Sequence, residues 1–329
     1  MLKVFLVLLL VMSFNQHIRA AETFDLDSTL TKKGYPNQHM CNIEIFDLDG
    51  TLTKKGYSLW NLINRELVDN IENFDAIAAI WNIMVVDQSE KSKKVFLNVF
   101  RRITNEPDDI DWQKLAGMAI DKNRTISSLA IIEIGLKMLR PGCRDPKVIT
   151  DTARKITTSL PESVIILEAI KYLSHRLKSG TICVISTGGY EEAGKGFIEG
   201  LVERNLLSAS LLKNIRYSGT QIDWEKLKVI HVNVNKNKIL GLVRVFKSES
   251  GDQKYSIEKL KKRINAVFGD DILINDLAIL KDLCKCGFVI KNKSNESKQL
   301  PSNCILTGWP QIYNNRDNLA TFHKESAGG

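Results

Sequence analysis

The chain has 329 residues, of which 43% are hydrophobic and 26% are charged. This composition is ordinary for a soluble globular protein, and the length allows one large core with a smaller lobe. The formal net charge of +8 favours anionic partners in general. However, the sequence contains no arginine-rich or aromatic-interleaved stripe, so we expect no nucleic-acid partner.

The first residues resemble a targeting segment. Lys3 supplies a positive start, and the apolar run Val4–Phe14 is too short for a comfortable membrane span. Polar residues and then Ala20 follow, which is consistent with a cleavage site. Residues 1–20 therefore predict a signal for export to the periplasm or the exterior, with an uncleaved membrane anchor as the alternative. We expect no stable membrane span after signal removal.

One segment occurs twice near the N-terminus. Phe24–Tyr35 reads FDLDSTLTKKGY and Phe46–Tyr57 reads FDLDGTLTKKGY, so the two copies differ only at Ser28 and Gly50. An apolar strand pattern precedes the second copy and not the first, and both copies cannot begin from the same strand. We therefore expect the second copy to form the site and residues 21–41 to form a leader.

The second copy continues a predicted strand. In Ile43–Thr53, IEIFDLDGTLT, alternating apolar residues lead into Asp47 and Asp49. Residues two apart on a strand point to the same side, and sites in open parallel sheets lie at the carboxyl ends of the strands. If Gly50 allows a sharp turn, the two aspartates can meet one metal ion and one phosphate group together.

A helical pattern then covers residues 58–159. Apolar residues recur at helical spacing from Leu59 onwards, and Pro107, Pro141 and Pro146 interrupt the run. The pattern predicts a block of helices inserted between the first motif and the rest of the chain.

A second polar strand end follows this block. The apolar run Thr181–Ile185 leads into Ser186, Thr187, Gly188 and Gly189, and another helical pattern comes next. A hydroxyl and backbone N–H groups at such a position can bind phosphate oxygens. Thr187 is the favoured hydroxyl, and Ser186 is the alternative if the strand ends one residue sooner.

Two further segments complete the pattern. Val229–Val234 and Ile239–Val245 alternate around a polar NKNK sequence and predict a β-hairpin. Ala266–Asp276, AVFGDDILIND, is a short apolar strand that ends in an acidic cluster. Either Asp270 or Asp271 could act as a metal ligand there.

These strand ends, in this order, resemble the motifs of the haloacid dehalogenase-like (HAD) hydrolase superfamily. Asp47–Thr51, DLDGT, resembles the first motif, whose leading aspartate is a nucleophile. Thr187–Tyr190 is similar to the Ser-Gly-Gly-Phe sequence of phosphoserine phosphatases, and the helical block resembles the cap of phosphoserine-phosphatase-like members. The resemblance extends from Ile43 to Trp309.

The resemblance implies an α/β fold. Residues 42–57 and 160–310 would form a Rossmann-like parallel-sheet HAD core, and residues 58–159 would form an inserted all-helical cap. Residues 311–329 have a polar, glycine-ended sequence that predicts a flexible tail. A cap of this kind closes over the substrate and excludes water.

The resemblance also implies a chemistry, namely magnesium-dependent hydrolysis of a small phosphorylated metabolite through an aspartyl-phosphate. Asp47 would be the nucleophile, and Asp49 would act as general acid and then general base. Thr187 and Gly188 would bind the phosphoryl group. Lys254, which lies shortly before the last motif, would bind the phosphoryl group as well and neutralise its charge.

The implied Mg²⁺ ligands are the Asp47 side chain, the Asp49 carbonyl and the acidic cluster. Spacing to Asp276 favours Asp271, whereas the usual family position is that of Asp270, so both remain open. Two other functions also remain open. One is a non-catalytic HAD-like binding protein, and the other is a phosphotransferase that uses the same residues.

Overall fold

The computed structural model describes residues 43–104, 110–271, 275–292, 295–296 and 298–327. The predicted signal at 1–20 and the leader at 21–41, with the first motif copy, lie outside these residues. In the part of the chain that is described, no helix is both long enough and apolar enough to cross a membrane.

The centre of the fold is a seven-stranded sheet with the order β4-β3-β2-β1-β5-β6-β7. Its strands are β1 Ile43–Asp47, β2 Ile182–Tyr190, β3 Ile215–Asp223, β4 Lys228–His231, β5 Ile264–Gly269, β6 Cys286–Ile290 and β7 Cys304–Thr307. Neighbouring strands are parallel except β4, which is antiparallel to β3. The predicted α/β, Rossmann-like class is therefore confirmed, and β1 lies in the middle of the sheet.

Helices fall into two groups along the chain. Those between β1 and β2 are α1 Leu59–Leu67, α2 Ile71–Val86, α3 Glu90–Thr104, α4 Ile110–Ala119, α5 Arg124–Met138, α6 Pro146–Ser159 and α7 Leu167–Lys178. Those after β2 are α8 Glu191–Glu203, α9 Lys236–Ser250, α10 Ile257–Arg263, α11 Leu277–Asp282, α12 Trp309–Asn314 and α13 Leu319–Ala327. The first six helices occupy the block that the sequence predicts to be helical.

The sheet has an apolar core on each face because side chains alternate along its strands. Ile43 and Ile45 pack on one face with apolar residues of α9, α10 and α11. Phe46 packs on the other face, where its ring stacks on Phe268 at 4.8 Å between centroids. Burial of both faces explains the nearly continuous apolar run that leads into the first motif.

Helix α6 packs against α8 through glycines. A Cβ atom at Gly196 would overlap the Thr150 carbonyl oxygen, and one at Gly200 would lie 2.6 Å from Thr157 Cβ. The two helices therefore approach with little side-chain material between them. This contact joins the last helix of the predicted cap segment to a helix that follows β2.

We expect Gly196→Ala to lower the free energy of unfolding by about 2 kcal/mol, since overpacking a close helix contact forces backbone shifts. Gly117→Ala is the matched control, because a Cβ atom at Gly117 in α4 meets nothing within 4 Å. That change should be neutral or stabilising by up to about 1 kcal/mol. Urea unfolding of both variants measures the difference, and equal stability would contradict the close contact.

The structure contradicts two predictions made from the sequence. The proposed hairpin over Val229–Val245 is instead a short strand, β4, followed by helix α9. The predicted flexible tail contains α12 and α13, with Ile312 and Leu319 buried. His323 Nε2 also lies 3.0 Å from the Asn303 carbonyl oxygen, so this segment is packed onto the sheet.

Candidate functional site

Asp47 ends the central strand and is buried there. Lys238 Nζ donates hydrogen bonds of 2.6 Å to Asp47 Oδ1 and of 2.6 Å to Asp276 Oδ1. Lys238 is fully buried at the start of α9, and Asp276 is fully buried immediately before α11. One ammonium group therefore bridges two carboxylates that come from distant parts of the chain.

Asp47, Asp270 and Asp276 form a buried acidic cluster. Each offers a carboxylate oxygen, and these oxygens all lie within 4.8 Å of one another. Gly50, at φ +86°, makes room for the cluster, because a Cβ atom at that position would overlap the Asp270 carboxylate. Asp47 and Asp276 share the buried Lys238, and Asp270 also pairs with the exposed Lys55, whose Nζ lies 3.5 Å from Asp270 Oδ2. Three buried carboxylates still outnumber the one buried lysine, and oxygen ligands of this kind suit a hard divalent cation. The three aspartates could therefore hold a metal ion.

Burial and repulsion between like charges raise the pKa values of carboxyl groups in the cluster. Burial raises the pKa of Asp270 to about 7, and the neighbouring Asp276 charge acts in the same direction. Burial and Asp276 also raise the pKa of Asp47 well above its usual value, while Lys238 acts in the opposite direction. The two carboxylates hold the pKa of Lys238 above its ordinary value despite its burial. The ammonium group therefore stays charged.

The acidic cluster predicts a stabilising response to divalent cations. We expect Mg²⁺ at about a hundredfold above its Kd to raise the Tm by roughly 5 °C, since binding to the folded state alone adds about 2.7 kcal/mol. Asp270→Asn should stabilise the metal-free protein by about 1 kcal/mol because it removes repulsion. The same change should abolish most of the Mg²⁺ response.

Asp271→Asn is the control for that experiment. Asp271 lies outside the group of three carboxylates, and its backbone N–H donates to Asp276 Oδ2 at 3.1 Å. The Mg²⁺ response should survive this change. Differential scanning fluorimetry reads both variants, and a response lost in Asp271→Asn but kept in Asp270→Asn would reverse our assignment.

Asp49 lies beside the acidic cluster on the turn after β1. Its Oδ1 accepts a 3.1 Å hydrogen bond from the backbone N–H of Leu59, at the start of α1. Burial raises the pKa of Asp49 to about 6, and the hydrogen bond from Leu59 partly opposes the rise. Both protonation states are therefore accessible near neutral pH, as a group that gives and takes a proton requires.

Thr187 lies in β2, one residue beyond Ser186, which is the last β2 residue to pair with β1. Its Oγ1 accepts a 3.1 Å hydrogen bond from the Gly189 backbone N–H, and Thr187 and Gly188 both line a cavity at this edge of the sheet. Ser186 is fully buried, and its Oγ accepts from Asn233 Nδ2 at 3.3 Å. Of the two predicted hydroxyls, Thr187 is the one placed at the cavity.

The structure contradicts the predicted lysine and distinguishes the two aspartates that the sequence left open. Lys254 is exposed, and its backbone N–H donates to Asp252 in the turn after α9. The lysine that contacts Asp47 is Lys238 instead. In the acidic cluster, Asp270 takes part and Asp271 does not.

The cavity over this edge of the sheet has a volume of about 470 Å³. From the core side it is lined by Asp47, Asp49, Thr187, Gly188, Gly189, Val234, Asp270, Asp271 and Asn275. From the turn after β1 and the helical block it is lined by Gly50, Lys55, Gly56, Tyr57, Ser58, Trp60, Asn61, Ala78, Trp81, Asn82, Arg124, Ser128, Ile131 and Ile132. The helical block therefore forms the side of the cavity that faces the acidic groups.

Three asparagines that sequence reasoning misses position these groups. Asn233 Nδ2 donates to the carbonyl oxygens of Thr187 at 2.8 Å and Ser218 at 2.9 Å. Asn292 Nδ2 donates to Asp270 Oδ2 at 3.2 Å, and Asn295 Nδ2 donates to the Asp270 carbonyl at 3.1 Å. The sequence does carry a usable signal, because polar amides follow the ends of β4 and β6 on the site's edge of the sheet.

The fold and these contacts define an α/β protein with a buried acidic cluster and a lysine at the carboxyl edge of a parallel sheet. No protein-family model and no curated protein matches the sequence. Among solved structures, the chain is similar to cytosolic 5'-nucleotidase IIIB bound to cytidine, at 11% identity and a TM-score of 0.45, covering 87% of each chain. It is also similar to a protein of unknown function from Bordetella pertussis Tohama I, at 12% identity and a TM-score of 0.42, covering 76% of this chain and 90% of that one.

Likeness at these values supports no inference about activity.

Proposed function

We propose that this protein is a magnesium-dependent phosphomonoester hydrolase of HAD type that acts through an aspartyl-phosphate on a small phosphorylated metabolite. The observation that carries the proposal is the contact of Lys238 with both Asp47 and Asp276, beside Asp270. Asp47 from the first motif and Asp270 and Asp276 from the last motif lie together at the end of the central strand, and Lys238, which no motif predicts, joins two of them. The resemblance of those motifs to the HAD superfamily supports the same reading.

In the first step, an Asp47 carboxylate oxygen attacks phosphorus and the bond to the leaving oxygen breaks. Asp49 gives its proton to that oxygen, so that an alcohol departs. In the second step, Asp49 takes a proton from water, and the resulting hydroxide attacks phosphorus. The acyl-phosphate bond breaks, inorganic phosphate leaves, and both aspartates return to their starting states.

The surrounding residues stabilise the transferred group. Lys238 holds Asp47 in place and offsets its negative charge. Thr187 and the backbone N–H groups near Gly188 would donate to the phosphoryl oxygens as their charge develops. A Mg²⁺ ion held by Asp47 and Asp270, with the carbonyl of Asp49, would supply charge neutralisation at the phosphate oxygens. Asp276 would orient Lys238 and the backbone of Asp270.

The helical block between β1 and β2 would act as a cap of the kind found in phosphoserine-phosphatase-like members. Its residues close one side of the cavity over Asp47 and Asp49. Exclusion of bulk water there would favour transfer between bound groups.

The direct test is phosphate release from p-nitrophenyl phosphate by the full chain, with Mg²⁺ and with EDTA. We expect turnover in Mg²⁺ and its loss in EDTA. Added methanol distinguishes the second candidate, a phosphotransferase, since methyl phosphate would then replace part of the inorganic phosphate. Absence of turnover in Mg²⁺, alongside a preserved thermal response to the ion, would favour the non-catalytic binding protein.

A further inference from the structure

The residues that line the helical side of the cavity restrict which substrates can bind there. We infer that the leaving group of the substrate is flat and aromatic and carries no positive charge. This inference rests on the proposed hydrolase activity. The observations behind this inference are two preorganised indole rings and the distribution of charge around them.

Trp60 is fixed in position by close contacts. Cβ atoms placed on Gly189 and Gly135 would lie 3.1 Å from Trp60 Cβ and 2.8 Å from Trp60 Cζ2, so the ring fits between these two glycines. Its ring also packs against Phe74, with 5.5 Å between centroids. Gly189 follows Thr187 and Gly188, the predicted phosphate-binding residues, so Trp60 lies beside the predicted phosphoryl site.

Trp81 is fixed by a hydrogen bond. Its Nε1–H donates to Ser127 Oγ at 3.0 Å, and that hydroxyl donates in turn to the Ala119 carbonyl at 2.6 Å. Because the indole N–H is already paired, Trp81 offers the cavity an apolar ring. Ile131 and Ile132 line the cavity nearby. Rigid apolar surfaces of this kind bind a flat ring at a small entropic cost.

Charge on this side of the cavity opposes a cationic substrate. Among the described lining residues from α1, α2 and α5, Arg124 is the one charged side chain, and Asn61 and Asn82 are neutral amides. These helices contribute no lining carboxylate within the described residues. The lining carboxylates, Asp47, Asp49, Asp270 and Asp271, lie on the core side with the predicted phosphoryl site, and Asp271 interacts electrostatically with Arg124. An ammonium group bound among the helices would therefore lose water without gaining a carboxylate partner there. Trp rings can also attract a quaternary ammonium, but Arg124 would repel one.

The test compares kcat/KM for four primary-alcohol phosphates in Mg²⁺, so that the leaving oxygen is chemically alike in each. Benzyl phosphate carries a flat ring, cyclohexylmethyl phosphate a puckered ring of similar size, and phosphoethanolamine and phosphocholine a cation. We expect benzyl phosphate to exceed the two cationic substrates by roughly tenfold or more, and also to exceed cyclohexylmethyl phosphate.

Trp81→Ala should lower kcat/KM for benzyl phosphate by roughly 5- to 100-fold, the range expected for a lost stacking partner. It should lower the value for phosphoethanolamine much less. Ile83→Ala is the matched control on the same helix, since Ile83 is 60% exposed and outside the cavity lining. It should leave all four values unchanged.

The outcomes separate this inference from the proposed hydrolase. Equal or faster hydrolysis of phosphoethanolamine or phosphocholine would overturn the aromatic specificity and leave the hydrolase standing. A benzyl preference that survives Trp81→Ala would also overturn it. Failure of all four substrates by a protein that hydrolyses p-nitrophenyl phosphate in Mg²⁺ would overturn the aromatic specificity alone, whereas failure of p-nitrophenyl phosphate as well would remove the hydrolase.

Discussion

Asp47→Asn should reduce phosphate release from p-nitrophenyl phosphate by at least about a thousandfold, because the amide cannot replace the attacking carboxylate. Asparagine has nearly the same size, and the removal of one charge from the acidic cluster should leave the fold intact. Circular dichroism and the Tm would confirm this. A colorimetric phosphate assay in Mg²⁺ measures the effect.

The matched control is Asp25→Asn, the same change at the corresponding position of the first motif copy. We expect wild-type turnover from this variant. If Asp25→Asn removes activity and Asp47→Asn keeps it, the first copy and not the second forms the site.

Lys238→Met should have the largest effect on stability, with a loss of about 3–5 kcal/mol in the free energy of unfolding. The reason is that Asp47 and Asp276 would remain buried without the ammonium group that now pairs with both. Lys254→Met is the control at the lysine chosen from spacing. Lys254 is exposed, so that change should stay within about 0.5 kcal/mol and keep activity.

A second variant keeps this test informative if Lys238→Met does not fold. Lys238→Met combined with Asp276→Asn removes one charge of each sign from the buried cluster. We expect it to recover much of the stability but none of the activity. Activity retained in the double variant, or lost in Lys254→Met, would contradict the role given to Lys238.

Much of the site is predictable from the sequence because it depends on strand ends. Buried strands are recognisable as short apolar runs, and parallel strands place their carboxyl ends at one edge of the sheet. Asp47, Thr187 and Asp270 can therefore be expected to converge. The helical block is predictable for a similar reason, since helical periodicity is strong from Leu59 onwards.

Lys238 escapes prediction because the sequence of its helix also resembles a strand. Ile239–Val245 alternates briefly, which favours a hairpin, yet Ile239, Leu242, Val243 and Phe246 also recur at helical spacing. The helical pattern extends further and is the correct one. If a hairpin is assumed there, the nearest lysine that precedes a helix is Lys254. Local periodicity over seven residues cannot separate the two structures.

Sequence spacing alone likewise cannot decide whether Asp270 or Asp271 belongs to the acidic cluster. It depends on Gly50, whose missing Cβ leaves room for the Asp270 carboxylate, and on Asn292, which donates to that carboxylate. Both contacts join distant parts of the chain. The raised pKa values of Asp47 and Asp49 also come from burial, which a sequence shows only indirectly.

The central claim is that Asp47 carries the phosphoryl group during turnover. The most direct measurement is acid-quenched mass spectrometry of Asp49→Asn after mixing with p-nitrophenyl phosphate, whose good leaving group needs little protonation. We predict one p-nitrophenolate per protein in a burst, with a hydroxylamine-labile phosphoryl group on Asp47. A burst with the label on another residue, or steady turnover with no labelled protein, would contradict the account.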